Sequence, residues 1–209
     1  MISEKRIVIV LLISFLFVSS CITVKQPHLS IKKYVLEYES PIFTQKDQLG
    51  CTIKIDSFSV APAYNTNRII YSKKPYEINS YIYHKWNSNP GEMVTHLIGR
   101  DIRNSGLFKG VLLAGERIKD FSYRLGGTLE EFYEKDERNW SGVLSLSVNL
   151  VSEGDGEAGD KIIFQKHYTA AEKCDEKNPA ALAQALSTAM KRVSEQLIED
   201  LYITLNNDQ

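Results

Sequence analysis

The strongest constraint on the fold is an alternation of apolar and polar residues in the C-terminal half of the chain. Single serine or asparagine residues separate Leu144, Leu146, Val148 and Leu150. Because successive side chains of a strand point to opposite faces, this pattern predicts a strand with one buried and one solvated face. Residues 123–133 and 161–171 are also strand-like, and polar, turn-rich connections join them to residues 140–152. The three segments therefore predict an antiparallel meander.

Two other segments follow the helical period. Asn89 and Asn178 each precede a proline, which places a good N-cap before a residue suited to the first helical turn. Gly106 can adopt the left-handed backbone conformation that ends a helix, so it is expected to terminate the first segment. Apolar residues recur at helical spacing, namely Met93, Val94, Leu97, Ile98 and Ile102 in the first segment and Leu182, Leu186, Ala189, Val193, Leu197 and Leu201 in the second. The sequence predicts amphipathic helices from Pro90 to Gly106 and from Pro179 to about Leu205.

Shorter segments rich in β-branched and aromatic residues indicate further strands at 33–38, 51–60, 68–71, 81–86 and 109–113. Near Ser57 the apolar phase shifts, which predicts a β-bulge or an edge crossing. Together the segments predict an α+β domain, with a mainly antiparallel sheet of about seven strands and both amphipathic helices packed on one face. This single domain should span residues 33–205, and residues 206–209 should form a short C-terminal end.

An apolar run near the N-terminus is too short to cross a membrane. Residues 7–18 are apolar apart from Ser14, but a spanning helix needs about 20 residues. Lys5 and Arg6 precede this run, and the sequence V-S-S-C that closes it ends at Cys21. The arrangement resembles the signal peptide and lipobox of a bacterial lipoprotein, with cleavage before the cysteine.

This resemblance implies that residues 1–20 are a cleaved signal peptide and that residues 21–32 are a lipidated N-terminus and leash. Cys21 would carry a diacylglyceryl group and its amino group a further acyl chain such as palmitate, and we expect no cofactor beyond this covalent lipid. An ordinary secretory signal with a chance cysteine is the alternative. Cleavage leaves 23 Lys and Arg against 25 Asp and Glu residues, a formal charge of −2. Because there is no basic excess, we expect no nucleic-acid partner.

The other two cysteines, Cys51 and Cys174, belong to an exported chain and could pair in an oxidising periplasm. Their spacing alone cannot bring two thiols within bonding range, so the sequence leaves this disulfide open.

No catalytic constellation is legible in the sequence. The histidines, His28, His84, His96 and His167, have none of the spacings of metal motifs. Gly126 and Gly127 fall inside a strand pattern, which favours a bulge or a close backbone approach over phosphate binding. Acidic residues crowd the loop around Asp155, Glu157 and Asp160, but the ligand spacing of an EF-hand is missing. We therefore expect no enzymatic activity and no metal site.

Tyrosine is concentrated between residues 64 and 86. The candidate partner or subunit interface consists of Tyr64, Arg68, Tyr71, Tyr76, Tyr81 and Trp86, because aromatic residues are enriched at interfaces. The alternative is that half of these aromatic residues line the core and half coat the edge of the sheet. The sequence does not decide between the two.

An ordered set of residues behind the lipobox carries a family resemblance. In chain order it comprises Phe58, Val60, Ala61, Pro62 and Tyr64; Arg68, Ile69 and Tyr71; Tyr76, Tyr81 and Trp86; Pro90 and the helix to Ser105, Gly106, Leu107 and Phe108; Val111; Leu125, Gly127, Leu129 and Phe132; and the helix from Pro179. The set resembles the ABC-type transport auxiliary lipoproteins of the paraquat-inducible protein C type and covers most of the mature chain.

The resemblance implies a non-enzymatic adaptor of an ABC/MCE-type system that carries phospholipids across a Gram-negative envelope and helps maintain outer-membrane integrity. Members form a homo-oligomeric ring and dock an MCE-domain protein. Ile22 follows Cys21 in place of the aspartate that retains lipoproteins in the inner membrane, which implies the periplasmic face of the outer membrane. The alternative is a periplasmic lipid-binding carrier lipoprotein whose acyl-chain cavity would be lined by Met93, Leu97 and Leu186, although these residues could equally pack in a tight core.

Overall fold

The computed structural model describes residues 30–118, 120–137, 139–154 and 159–208. The predicted signal peptide, Cys21, most of the leash, and the acidic loop residues Asp155 and Glu157 lie outside the described residues. From Ile31 onward the chain forms one compact unit. Neither helix in the described part of the chain has the combination of length and hydropathy that crossing a bilayer requires.

The described residues form nine strands and two helices. In chain order they are β1 (Lys32–Tyr34), β2 (Leu49–Ile55), β3 (Ser59–Val60), β4 (Arg68–Lys74), β5 (Glu77–Trp86), α1 (Pro90–Ser105), β6 (Phe108–Leu112), β7 (Tyr123–Lys135), β8 (Ser141–Ser152), β9 (Lys161–Lys173) and α2 (Pro179–Asn207). The segment predicted as one strand at 51–60 is interrupted between β2 and β3, where the apolar phase shifts.

The long strand β7 is the centre of the sheet. One edge of β7 pairs antiparallel with β8 from Tyr123 opposite Ser152 to Lys135 opposite Ser141. Strand β9 pairs antiparallel with the far side of β8, which completes the predicted meander.

The sheet is mainly antiparallel, as predicted, but it has nine strands instead of about seven, and its other half is mixed. The second edge of β7 pairs parallel with β2, β3 and β4 in succession. Strands β4 and β5 are antiparallel, whereas β1 is parallel to β5 and β6 is parallel to β2. Helix α1 lies in the connection that returns the chain to β6 beside β2, as parallel pairing requires. A period of two identifies a strand but not the direction of its partner, so the sequence could not show this arrangement.

Both predicted helix caps are present. The side chain of Asn89 accepts a hydrogen bond from the Gly91 amide at 2.9 Å, and Asn178 accepts bonds from the amides of Ala180 and Ala181. Gly106 ends α1 with a φ of 68°, the left-handed conformation that glycine adopts at little cost. Helix α2 continues to Asn207, two residues beyond the predicted end.

One core lies between the sheet and the two helices. Leu144, Leu146, Val148 and Leu150 are all completely buried, as their alternation predicts. Ile55, Leu125 and Leu150 are register partners and so share this face, and Gly99 of α1 lies close to Ile55. Lys166 and Tyr168, the β9 partners of Val148 and Leu146, both contact Asp200 of α2. The two helices therefore cover the same face of the sheet.

The two cysteines of the folded part are buried free thiols. Cys51 lies in β2 near the Tyr123 end of β7, and Cys174 follows β9 near the Lys135 end. A strand of 13 residues such as β7 spans about 40 Å, whereas disulfide-bonded cysteines have Cα atoms less than about 7 Å apart. The disulfide that the sequence left open is thus not formed in this fold. Burial raises the pKa of the Cys174 thiol to about 11.

Candidate functional site

The tyrosine-rich segment folds into the hairpin of β4 and β5. Lys74 pairs with Glu77, so Pro75 and Tyr76 form the two-residue turn. Tyr76 has a φ of 66° and is fully exposed. Proline at the first central position and a positive φ at the second are the pattern of a type II turn, where glycine or asparagine is normally found. A bulky aromatic residue is therefore held in an unfavourable backbone conformation without any packing that explains it.

Large apolar side chains continue along β5 from the turn. Ile78 is 50% exposed, Ile82 67% and Tyr83 42%. We call these three residues and Tyr76 the hairpin patch. On the outer side of β5, β1 pairs with His84, Lys85 and Trp86. In the part of the chain that the structure describes, no strand covers the outer edge of β5 between Glu77 and Tyr83.

A cleft of about 490 Å³ lies beside this hairpin. It is lined by the aromatic residues Tyr71, Tyr81, Tyr83, His84 and Trp140 and by the charged residues Lys73, Glu134, Asp136 and Lys177, among others. The rings of Tyr71 and Tyr81 are tilted with centroids 4.9 Å apart, and His84 meets the edge of Tyr81 at 5.7 Å. Hence two of the predicted contact residues, Tyr71 and Tyr81, do come together.

The carboxylate of Glu134 joins three elements at this cleft. The Tyr81 hydroxyl donates to its two oxygens at 3.1 and 3.0 Å, and the Trp140 indole donates to Oε1. Glu134 is only 1% exposed, so desolvation raises its pKa, and the hydrogen bonds from Trp140 and Tyr81 oppose that rise. Desolvation and the nearby Glu134 carboxylate also raise the pKa of Tyr81. This arrangement ties β5 to β7 and to the start of β8.

Replacing Glu134 by glutamine should leave the free energy of unfolding within about 1 kcal/mol of wild type at neutral pH, because the amide oxygen still accepts from Tyr81 and Trp140. A group whose pKa is raised by folding stabilises the protein fully below its unfolded pKa, and that contribution falls as pH rises through the folded pKa. In urea unfolding at several pH values, we therefore expect the free energy of unfolding of Glu134→Gln to increase relative to that of wild type from about pH 4.5 upward. An equal loss at every pH would contradict the desolvation of a charged carboxylate.

The remaining predicted contact residues lie elsewhere. Trp86 is only 2% exposed and packs against Phe132, with ring centroids 5.0 Å apart, so it is a core residue and cannot meet a partner. Tyr64 stacks on Tyr133, which pairs with Val143 and so points away from the helices. Arg68 is exposed at the end of β4 distant from the turn. The predicted interface is therefore divided between the hairpin, the helix-free face and the core.

Glu134 and Trp140 were not singled out by sequence reasoning. They are distant in the chain from Tyr81, and only the pairing of β4 with the end of β7 brings the three together. Glu134 shares the phase of Phe132 on the buried face of β7. A glutamate at a core-facing position of a predicted strand was the one signal in the sequence.

The residues that would line an acyl-chain cavity fill the core instead. Met93, Leu97 and Leu186 are 7%, 5% and 0% exposed and belong to the one hydrophobic cluster. None of them lines the hairpin cleft, the cleft of about 630 Å³ at the start of α1, or the cleft of about 740 Å³ beside Tyr133. Met93, Leu97 and Leu186 therefore pack in the core, which was the alternative to an acyl-chain cavity.

Two of the three histidines in the described residues form polar contacts with neighbouring side chains. His84 hydrogen-bonds the Tyr34 hydroxyl at 2.9 Å, and His167 contacts Ser145 and Ser147 on the helix-free face. Within the described ranges, no three His, Cys, Asp or Glu residues are grouped so as to hold a metal ion.

Comparison with known proteins shows the family of the chain through a family model and its fold through solved structures. The model of the family described as ABC-type transport auxiliary lipoprotein component matches residues 34–198. No curated protein sequence matches the chain. The crystal structure of protein XCC0632 from Xanthomonas campestris, of family DUF330, is similar with a TM-score of 0.74 and 18% identity, covering 85% of this chain and 98% of that one. A crystal structure of an uncharacterized protein has a TM-score of 0.62 and 12% identity, with coverage of 78% and 99%. At these sequence identities, the structural similarity shows a shared fold.

Proposed function

Because the chain belongs to the family of ABC-type transport auxiliary lipoprotein components, we propose that it is the non-enzymatic adaptor of an MCE-type phospholipid transport system in a Gram-negative envelope. Family membership makes it a transport-associated lipoprotein of the cell envelope. The observation that carries the proposal is the family match over residues 34–198, which includes β2 to β9, all of α1 and most of α2. The transported phospholipid and the MCE-domain partner are part of the proposal.

Anchoring is the first element of the proposed mechanism. Cys21 would be the lipid attachment site, and Ile22 behind it favours the periplasmic face of the outer membrane. Burial of an acyl chain contributes about 0.8 kcal/mol per methylene, so one chain binds weakly and two or three bind almost permanently. Several tethered copies in a ring would share a high effective concentration, so each could bind the partner weakly and still hold it.

The docking surface is the second element. Of the predicted contact residues, Tyr64 lies on the sheet face that carries no helix, beside Tyr133 and the cleft of about 740 Å³. Arg68 is exposed at the end of the hairpin distant from its turn. We propose that these two side chains contact the MCE-domain protein or a neighbouring subunit. The carrier alternative has no supporting observation, because Met93, Leu97 and Leu186 are packed in the core.

Photocrosslinking in intact cells tests the adaptor proposal. A photoreactive residue at Tyr64 or Arg68 should crosslink to an MCE-domain protein or to a second copy of this chain, whereas one at Glu195, exposed on α2, should not. The Cys21→Ser variant should leave the membrane fraction and lose these crosslinks. Unrelated partners without any MCE-domain protein would refute the adaptor role. A Cys21→Ser chain that stays in the membrane fraction after a high-salt wash would refute the anchor.

A further inference from the structure

We propose that the turn of the β4–β5 hairpin inserts into the headgroup region of the membrane to which the chain is anchored. Tyr76 and Ile78 would then form a second, reversible contact with the bilayer beside the covalent lipid. This inference rests on the proposed function in one respect, since it takes Cys21 as the lipid anchor. It gives the β4–β5 turn a ligand, a lipid surface. The adaptor role does not explain this turn.

The conformation of the turn is the first argument. Tyr76 is fully exposed and has a φ of 66°, a backbone region that is uncommon for residues other than glycine and asparagine. Such a conformation is costly for a residue other than glycine, and residues held in it cluster at functional sites. Within the folded unit the ring of Tyr76 is unsupported, so an external contact is the physical reason to keep a tyrosine there.

The chemistry of the turn fits the bilayer interface. Tyrosine is enriched at headgroup level because its ring is apolar and its hydroxyl is polar. Ile78, half exposed, follows two residues later. Lys73 has a side chain 59% exposed and Lys74 is also exposed. Apolar residues flanked by lysines match a surface that offers acyl chains below and anionic phosphates above.

The lysines make this attraction local. The mature chain has a formal charge of −2, so the protein as a whole is not drawn to an anionic surface. At the turn, Glu77 lies opposite Lys74 and Asp136 is 4.0 Å from Lys73. Lys32 and Lys33 of β1 lie beside His84 and Lys85, at the end of β5 distant from the turn. Residues 68–86 carry four Lys and Arg residues against one glutamate, so the hairpin as a whole is basic in a mildly acidic protein.

The direction of the tether is the second argument. Strand β1 is parallel to β5, with Lys32 opposite His84, so the chain enters β1 from the side on which the turn lies. From His84 back to Glu77 the hairpin extends about 23 Å along the strand. The eleven peptide units from Cys21 to Lys32 reach at most about 40 Å. A tether of this length allows the turn to reach the bilayer while the fold stays intact.

A second copy of this chain is the competing occupant, because the outer edge of β5 is open between Glu77 and Tyr83 among the described residues. Pairing along that edge would use the backbone of β5 between Glu77 and Tyr83, whereas Tyr76 lies in the turn, beyond the edge. Strand pairing therefore leaves the exposed ring and the positive φ of Tyr76 unexplained, which favours lipid.

Fluorescence of the lipidated chain in phosphatidylcholine and phosphatidylglycerol vesicles tests the inference. An environment-sensitive fluorophore on Glu77→Cys reports the turn, and the same fluorophore on Glu195→Cys of α2 is the matched control. The parent chain measures background labelling of the buried Cys51 and Cys174. We expect blue-shifted emission at position 77 and several-fold stronger quenching by spin-labelled lipid than at position 195. Vesicles without phosphatidylglycerol should weaken the effect.

The Tyr76→Gly variant separates lipid contact from folding. Glycine accepts the positive φ, so the melting temperature should stay equal or rise, while quenching at position 77 should fall to the level at position 195. If the chain stays on the vesicles but the fluorophore at position 77 remains in water, the inference is overturned and the adaptor proposal stands. Energy transfer between copies without lipid quenching would overturn it in favour of a subunit contact. If the chain leaves the vesicles altogether, the anchor and the inference fail together.

Discussion

Replacing Gly127 by alanine is expected to destabilise the protein by about 3 kcal/mol, at the upper end of what overpacking costs. A Cβ at this position would lie 2.1 Å from the backbone oxygen of Ser147, 2.9 Å from the Phe58 ring and 3.1 Å from the Val148 Cα. Ser147 and Val148 belong to β8, the longest partner of β7, so the backbone cannot move aside without breaking the centre of the sheet. Urea unfolding should show the loss directly.

The adjacent Gly126 provides the matched control for Gly127. A Cβ there would lie 3.3 Å from the Asp56 Cβ, a side-chain contact that a small shift relieves. Gly126→Ala should therefore change the free energy of unfolding by less than about 1 kcal/mol. Equal losses in the two variants would show that the close approach of β7 to β8 is not what requires glycine at position 127.

Replacing Asp101 by alanine is expected to cost about 3–5 kcal/mol, the range for breaking a buried ion pair from one side. This carboxylate is completely buried in α1. It accepts hydrogen bonds from the Tyr38 hydroxyl at 2.7 Å, from Ser40 at 2.7 Å and from the Arg100 guanidinium at 2.8 Å. The Arg100 guanidinium also stacks over the Tyr38 ring at 4.5 Å. Without Asp101, the partly buried Tyr38 hydroxyl and the partly buried Arg100 cation lose their shared acceptor.

The loss of Asp101 should also release the segment after β1 from α1. Burial and the neighbouring Asp101 raise the pKa of Tyr38 far above its usual value, because its hydroxyl donates to that carboxylate in a partly buried site. Urea unfolding and amide hydrogen exchange around Tyr38 and Ser40 measure the two effects. Glu199→Ala is the control, because it removes the exposed pair with Lys46 at 3.5 Å and should cost less than about 1 kcal/mol. Similar losses in both variants would contradict a special role for the buried carboxylate.

Much of the local structure was predictable because its signals are local. The Asn89 and Asn178 caps, the Gly106 stop and the alternation from Leu144 to Leu150 depend on neighbours a few residues away, and all are present in the structure. Of the bulge or close backbone approach expected at Gly126 and Gly127, the close backbone approach is present at Gly127. These signals act over one helical turn or one strand period, so a single sequence contains them in full.

The candidate site was predictable only in part. A segment rich in tyrosine identified the hairpin region, but the same composition includes Trp86 in the core and Tyr76 in full solvent. Glu134 completes the cleft from a strand about 50 residues further along the chain. Burial of a given aromatic ring depends on which distant strand lies beside it, and no local pattern contains that information.

The sequence by itself determined the elements of this protein, its family, and a lipobox that predicts a membrane anchor at Cys21. Tertiary structure alone decided that β7 has parallel partners on one edge, that Cys51 and Cys174 lie at opposite ends of the sheet, and that the turn at Tyr76 lies on the side from which the chain enters β1. The physical reason is the range of the interactions. Capping and periodicity act between neighbours in the chain, whereas strand direction and burial are set by contacts between residues that only folding brings together.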